Sequence, residues 1–119
     1  MKIDALETAQ KISAKSDEIE NLVDKLDQAA EDKSSSLADY EKAVAITILK
    51  LKNGAITEFE GNPINNIPAT LIPPVARGIC YKESFDKEMG ETNYKSLTVK
   101  IDAKKAVLNG LQSVNKFLQ

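Results

Sequence analysis

"NPINNIPATLIPPVARG" spans residues Asn62–Gly78 and contains every proline of the chain, Pro63, Pro68, Pro73 and Pro74. Proline has no amide hydrogen to donate, and its ring collides with the carbonyl one turn back, so this window cannot be the interior of a helix. The flanking sequence has the opposite character. Residues 1–53 contain neither Gly nor Pro, a run too long for strands, which need turns every few residues. Residues 79–119 contain Gly90 and Gly110 and no proline. The reading is all-α and single-domain: a helix over 4–52, a proline-rich bend over 53–78 and a second helix over 79–118. The two helices are expected to form an antiparallel coiled-coil hairpin.

Apolar spacing supports both helices. In the first, Ala9, Ser16, Val23, Ala30, Leu37, Val44 and Leu51 recur every seven residues. Ala5, Ile12, Ile19, Leu26, Lys33, Tyr40 and Thr47 form a second row, and the two rows make an imperfect heptad seam with polar faults at Ser16, Lys33 and Thr47. In the second helix the seam reads Tyr94, Leu97, Ile101, Leu108, Leu111 and Leu118. Two alternatives stay open. Ser34–Ser36 followed by Asp39 resembles the start signal of a new helix, which would break the first one. "SLTVKID", residues 96–102, alternates apolar and polar residues and could pair as a strand with "AITEF", residues 55–59.

Local signals mark the ends. "LKNG" gives the first helix a basic last turn at Lys50 and Lys52, then Gly54, which can take the left-handed capping conformation. Gly61 and Asn62–Pro63 signal a turn. Pro68 can open a short helical turn, and Pro73–Pro74 is expected to stiffen the return.

Charge divides between the helices. Residues 1–52 carry eight Lys and eleven Asp/Glu, net −3, whereas residues 79–119 carry seven Lys and five Asp/Glu, net +2. Opposite signs favour pairing and register more than they drive folding. Ile46, Ile48, Val107 and Val114 fall outside the seams, and self-association, as a dimer or higher, would cover them.

Composition excludes several classes. The chain has 119 residues, 42% hydrophobic and 29% charged, a balance for a folded domain rather than a disordered one. No run approaches a membrane span, the N-terminus lacks a signal-peptide core, and the single cysteine fits a reducing compartment, so a cytoplasmic protein with no membrane partner is expected. There is no histidine, no phosphate-binding glycine loop and no cysteine cluster. Neither catalysis, cofactor nor metal is therefore expected. Acidic pairs such as Asp24 with Asp27 read as a solvated face, and Cys80 as a small core residue.

The segment "ATLIPPVARG" with the helix that follows resembles the C-terminal half of a family of small uncharacterised helical-hairpin proteins, encoded in phage and prophage replication and recombination gene clusters. Pro68, Thr70, Leu71, Ile72, Ala76, Arg77 and Gly78 match the family's bend. Tyr94, Lys95, Leu111, Gln112 and Ser113 match its second helix, and the likeness covers about residues 42–119. The insertion "AITEFEGNPINN" departs from the family's tighter bend. The resemblance implies a helical hairpin in a phage or host-cell cytoplasmic setting and brings no activity with it.

Candidate binding residues follow from what remains. Arg77 is the only arginine, and its planar fork suits carboxylate or phosphate. It either contacts a partner or pairs with Glu58 or Glu60 inside the bend. With Leu71 and Ile72 it would form a docking surface. Lys95 and Lys104 lie on the basic helix, where nucleic-acid contact is the weaker reading because aromatics for base stacking are scarce. The expected function is a non-enzymatic phage or prophage accessory protein acting through an unidentified protein partner, in DNA replication or recombination. The alternatives are a phage inhibitor of a host defence or host enzyme, and a purely structural oligomer.

Overall fold

The computed structural model describes residues 4–118. Among them the chain is all-α apart from one pair of two-residue strands. The elements are α1 (Ala5–Lys52), β1 (Glu58–Phe59), β2 (Asn62–Pro63), a 3-10 turn (Ala69–Leu71), α2 (Ile72–Ile79) and α3 (Tyr81–Leu118). Helix α1 runs unbroken through Ser34–Ser36. Residues 96–102 belong to α3, so β1 pairs only with its sequence neighbour. The heptad rows continue on both sides of these segments, and the packing they permit outweighs the local serine and β-branched preferences.

The described chain divides into two compact units, Met1–Glu31 with Thr92–Gln119, and Asp32–Glu91. In the first unit α1 starts on Asp4, whose Oδ1 accepts the Leu6 amide at 3.0 Å, and the Thr8 hydroxyl donates to the Asp4 carbonyl at 3.1 Å. Burial along α1 then steps by four and three through Thr8, Ile12, Lys15, Ile19, Leu22, Leu26 and Ala29. Along α3 it steps through Tyr94, Leu97, Ile101, Lys104, Leu108 and Leu111, with Leu97 and Ile101 buried and the others half-buried. The Glu18 carboxylate accepts from Lys104 of α3 at 2.9 Å and from Lys15 one turn back at 3.1 Å.

The second unit holds the bend. Helix α1 ends as its sequence indicates: Gly54 takes φ 76°, and the Ala55 amide returns to the Lys50 carbonyl at 2.9 Å. Strands β1 and β2 are joined by Glu60 and Gly61, both at positive φ (51° and 81°), as in the two-residue turns whose twist matches paired strands. The Leu71 amide donates to the Pro68 carbonyl at 2.9 Å, so Pro68 does open a helical turn. Pro73 and Pro74 sit in the return as part of a short helix. They lie in the first turn of α2, where amides have no intrahelical partner and a fixed φ is already helical. The Cys80 amide closes α2 on the Ala76 carbonyl at 3.1 Å, and α3 begins at the next residue.

The seam of α1 differs by one residue from the sequence reading. Of the row expected from Ala5 onward, Ala5 is exposed and Ile12, Ile19, Leu26, Lys33, Tyr40 and Thr47 are buried or half-buried. Its companion is Thr8, Lys15, Leu22, Ala29, Ser36 and Ala43, all buried or half-buried. Of the row expected in that place, Ala9, Val23 and Leu37 are exposed, and Ser16, Ala30, Val44 and Leu51 are half-buried at its margin. Small side chains at Ala29, Ser36 and Ala43 explain the displacement, because they let a neighbouring helix come close. A Cβ built on Gly90 of α3 would stand 2.9 Å from Ser36 Oγ and 3.3 Å from Lys33 Cα, so the two backbones do approach closely there. Lys15, in an inward row, is half-buried while its ammonium reaches the exposed Glu18 carboxylate, so a long cationic side chain fits the seam by covering it with its aliphatic stem.

Candidate functional site

Helix α2 has two sides. Ile72 (9% exposed) and Ala76 (0%) lie one turn apart and face the core of the second unit, next to Cys80. The Cys80 thiol is buried and shares a hydrogen bond with the Thr47 hydroxyl of α1 at 3.3 Å. Cys80 is thus a packed core residue, as its sequence context suggested, and its bond satisfies a threonine that would otherwise break an apolar seam. Ile48 is half-buried here as well, so it is not one of the leftover apolar residues, whereas Ile46, Val107 and Val114 are exposed.

The other side of α2 is open. Leu71 is 50% exposed at the helix start, and Pro74, Arg77 and Gly78 are exposed along it. Among the described residues Arg77 makes no ion pair, so neither Glu58 nor Glu60 holds its guanidinium. Arg77 lies in the last turn of α2, where its charge complements the carbonyl end of the helix and its five donors remain available. In the adjoining first turns of α3, Tyr81, Phe85 and Met89 are each more than half exposed and fall on one face at four-residue spacing. Tyr81 and Phe85 line a common shallow pocket with Lys82 and Asp86.

The candidate residues thus separate. Leu71 and Arg77 remain accessible in the second unit. Ile72 is removed from the surface because α2 is amphipathic and Ile72 shares the Ala76 side. Lys95 is exposed on α3 of the first unit. Lys104 is half-buried and engaged with Glu18, which makes it part of the intrachain packing. The hydrogen bond from Lys104, then that from Lys15, holds the Glu18 carboxyl below its ordinary 4.5. The exposed Tyr81, Phe85 and Met89 were not singled out as a surface by sequence reasoning. Their uninterrupted i, i+4, i+8 spacing was the available signal.

Asp32, Asp39, Glu83 and Asp86 line one shallow groove with Ser35 and Ser36. No group of three His, Cys, Asp or Glu among the described residues is arranged to hold a metal ion. No helix among them is long and apolar enough to cross a membrane. Comparison of the chain with protein-family models, curated proteins and solved structures found no match.

Proposed function

We propose that this chain is a non-enzymatic interaction protein that docks a protein partner on the outer side of α2 and the adjoining start of α3. The observation that carries the reading is the exposure of Leu71, Tyr81, Phe85 and Met89 in the same unit as Arg77, an arginine with no intrachain ion pair among the described residues. Apolar side chains around an arginine are what the centre of an interface uses: the apolar groups gain from leaving water, and the guanidinium fixes orientation. Behind that surface, Ile72 and Ala76 are anchored, so the docking side chains stand on a fixed helix rather than a loose loop.

In this reading α1 and α3 form an antiparallel coiled-coil hairpin that serves as the scaffold, and the chain self-associates. Support for the antiparallel sense comes from the contacts within each unit. Lys104 meets Glu18 in one, and in the other Lys87 lies 5.0 Å over the Tyr40 ring while Cys80 meets Thr47. A setting in phage or prophage replication or recombination, in the host cytoplasm, rests on the sequence resemblance over about residues 42–119.

A photo-crosslinking residue placed at position 77 tests the docking site in cells. A discrete adduct is expected from position 77 and none from position 17, which lies on the acidic outer face of α1. Equal labelling from the two positions would remove the assignment. A salt-dependent DNA complex that survives Arg77→Ala would favour the lysine face of α3 instead.

A further inference from the structure

Asparagine followed by glycine is a reactive pair. The backbone nitrogen of the second residue can reach the side-chain amide carbon of the first, and glycine has no Cβ to obstruct that approach. The chain contains two such pairs, Asn53–Gly54 and Asn109–Gly110. All four residues are exposed, so exposure does not tell the pairs apart. Their backbones do. Asn109–Gly110 lies inside α3, where the Gly110 amide belongs to the helical ladder and the Asn109 carbonyl also accepts from the Ser113 hydroxyl at 3.0 Å. Reaction there requires the helix to open. Asn53–Gly54 lies just beyond the last residue of α1. The amides on either side of Gly54 are engaged, Asn53 with the Leu49 carbonyl at 3.0 Å and Ala55 with the Lys50 carbonyl at 2.9 Å. Among the described residues the Gly54 amide itself donates to no acceptor.

The Asn53 side chain is placed for the same attack. Its Oδ1 accepts from the Ala55 amide at 3.0 Å, which folds the carboxamide back along the Gly54 peptide. Addition to the amide carbon Cγ puts negative charge on that oxygen, and a backbone donor already lies on it. A free nucleophile, a short intramolecular path and a donor at the developing charge therefore meet at one exposed turn.

We infer that Asn53–Gly54 is a self-modification site, which converts without an enzyme to aspartyl and isoaspartyl forms and loosens the carbonyl end of α1. The Gly54 nitrogen gives up its proton and bonds to Asn53 Cγ. The bond from Cγ to Nδ2 then breaks, Nδ2 leaves with that proton as ammonia, and a five-membered succinimide remains. Water opens the ring. Cleavage between Cγ and the Gly54 nitrogen leaves an aspartyl residue, and cleavage between the backbone carbonyl carbon and the same nitrogen leaves an isoaspartyl residue. Amide and water become carboxylate and ammonium, and nothing is oxidised or reduced. The new negative charge stands at the carbonyl end of α1, where it is unfavourable, and Lys50 and Lys52 offset only part of it. The isoaspartyl form also runs the main chain through the side-chain methylene, which displaces Gly54 from its capping position at φ 76° and pulls the Ala55 amide from the Lys50 carbonyl.

Incubation of the purified full chain in neutral buffer for several weeks, followed by peptide mapping with mass spectrometry, tests this. Cleavage after lysine and arginine puts Asn53 and Asn109 in separate peptides, residues 53–77 and 106–116, and fragmentation locates the change within each. In the folded chain residue 53 is expected to convert to a mixture of aspartyl and isoaspartyl forms at least about tenfold faster than residue 109, because helical opening gates the second pair. In concentrated urea the two rates should converge. Gly54→Ala, which sets a methyl beside the attacking nitrogen, should slow conversion of residue 53 in urea, where the strain of a positive φ in the fold plays no part. The modified chain, separated by its added negative charge, should exchange its Ala55 amide hydrogen faster than the intact chain. Equal rates at residues 53 and 109 in the folded chain, an aspartyl product with no isoaspartyl form, or an unslowed Gly54→Ala chain in urea would overturn the site. An Ala55 amide equally protected in both forms would overturn the loosening.

Discussion

Replacing Gly90 by alanine separates intrinsic helix preference from packing. In a helix interior Gly→Ala gains about 1 kcal/mol where the new methyl meets nothing. At Gly90 the methyl would lie 2.9 Å from Ser36 Oγ and 3.3 Å from Lys33 Cα. The hydroxyl could rotate away, but it donates to the Lys33 carbonyl at 3.1 Å and would lose that bond. The Lys33 Cα is backbone and can yield only by displacing α1. Overpacking of this kind costs about 1–3 kcal/mol, and the displaced hydroxyl adds about 1 kcal/mol. Against the helical gain, Gly90→Ala is expected to destabilise by about 1–3 kcal/mol. Gly110→Ala, where a Cβ meets nothing within 4 Å, is expected to stabilise by about 1 kcal/mol when measured at low concentration. The assay is urea denaturation followed by circular dichroism, and Ser36→Gly in the Gly90→Ala background should recover part of the loss. Equal stabilisation by Gly90→Ala and Gly110→Ala would refute the close approach of α3 to α1 at Ser36.

Other substitutions probe the faces and the charges. Ile101→Asp should cost several kcal/mol because it leaves a charge unpaired among buried side chains, whereas Val99→Asp on the opposite face should change the monomer's stability by no more than about 0.5 kcal/mol; thermal melts at low concentration compare the two. Glu18 has a depressed folded pKa, so its ion pairs with Lys104 and Lys15 contribute above its ordinary 4.5 and fade as pH falls through the lower folded value. Glu18→Gln should therefore flatten the acid limb of a stability–pH curve and leave its neutral-to-basic side parallel to wild type, most visibly at low salt. Thr47→Val removes the hydroxyl that meets the buried Cys80 thiol and should cost about 1 kcal/mol in urea denaturation.

How far the sequence carried the fold depends on which force decided each element. The end of α1 was legible because Gly54 and the lysines before it act locally. The row through Ile12, Ile19 and Leu26 and the α3 seam through Leu97 and Ile101 were legible because hydrophobic periodicity fixed them. The companion row of α1 was not. Val23 and Leu37 make the expected row the more apolar choice, yet close packing brought Ala29, Ser36 and Ala43 inward instead. Gly90 was a visible hint of close packing, but its partner could only be known once the helices were paired. The proline window reads as a break, yet two of its four prolines fall in the one helical turn that tolerates them. The strand pair turns on Glu60 and Gly61 and buries too little to leave a periodic signal. For the docking surface, Arg77 was visible as the only arginine. The inward position of Ile72 required the orientation of α2.

The most direct test is the affinity of the Arg77 variants for the protein captured by crosslinking at that position. Arg77 is exposed and, among the described residues, free of intrachain ion pairs, so Arg77→Ala should change the stability read from a thermal melt by less than about 0.5 kcal/mol. It should weaken binding about tenfold or more, since a charge-assisted, bidentate contact is lost, and Arg77→Lys should recover only part of it. Unchanged affinity for the Arg77→Ala chain, or a melt many degrees lower with normal binding once folded, would make Arg77 incidental or a structural latch and would contradict docking on α2.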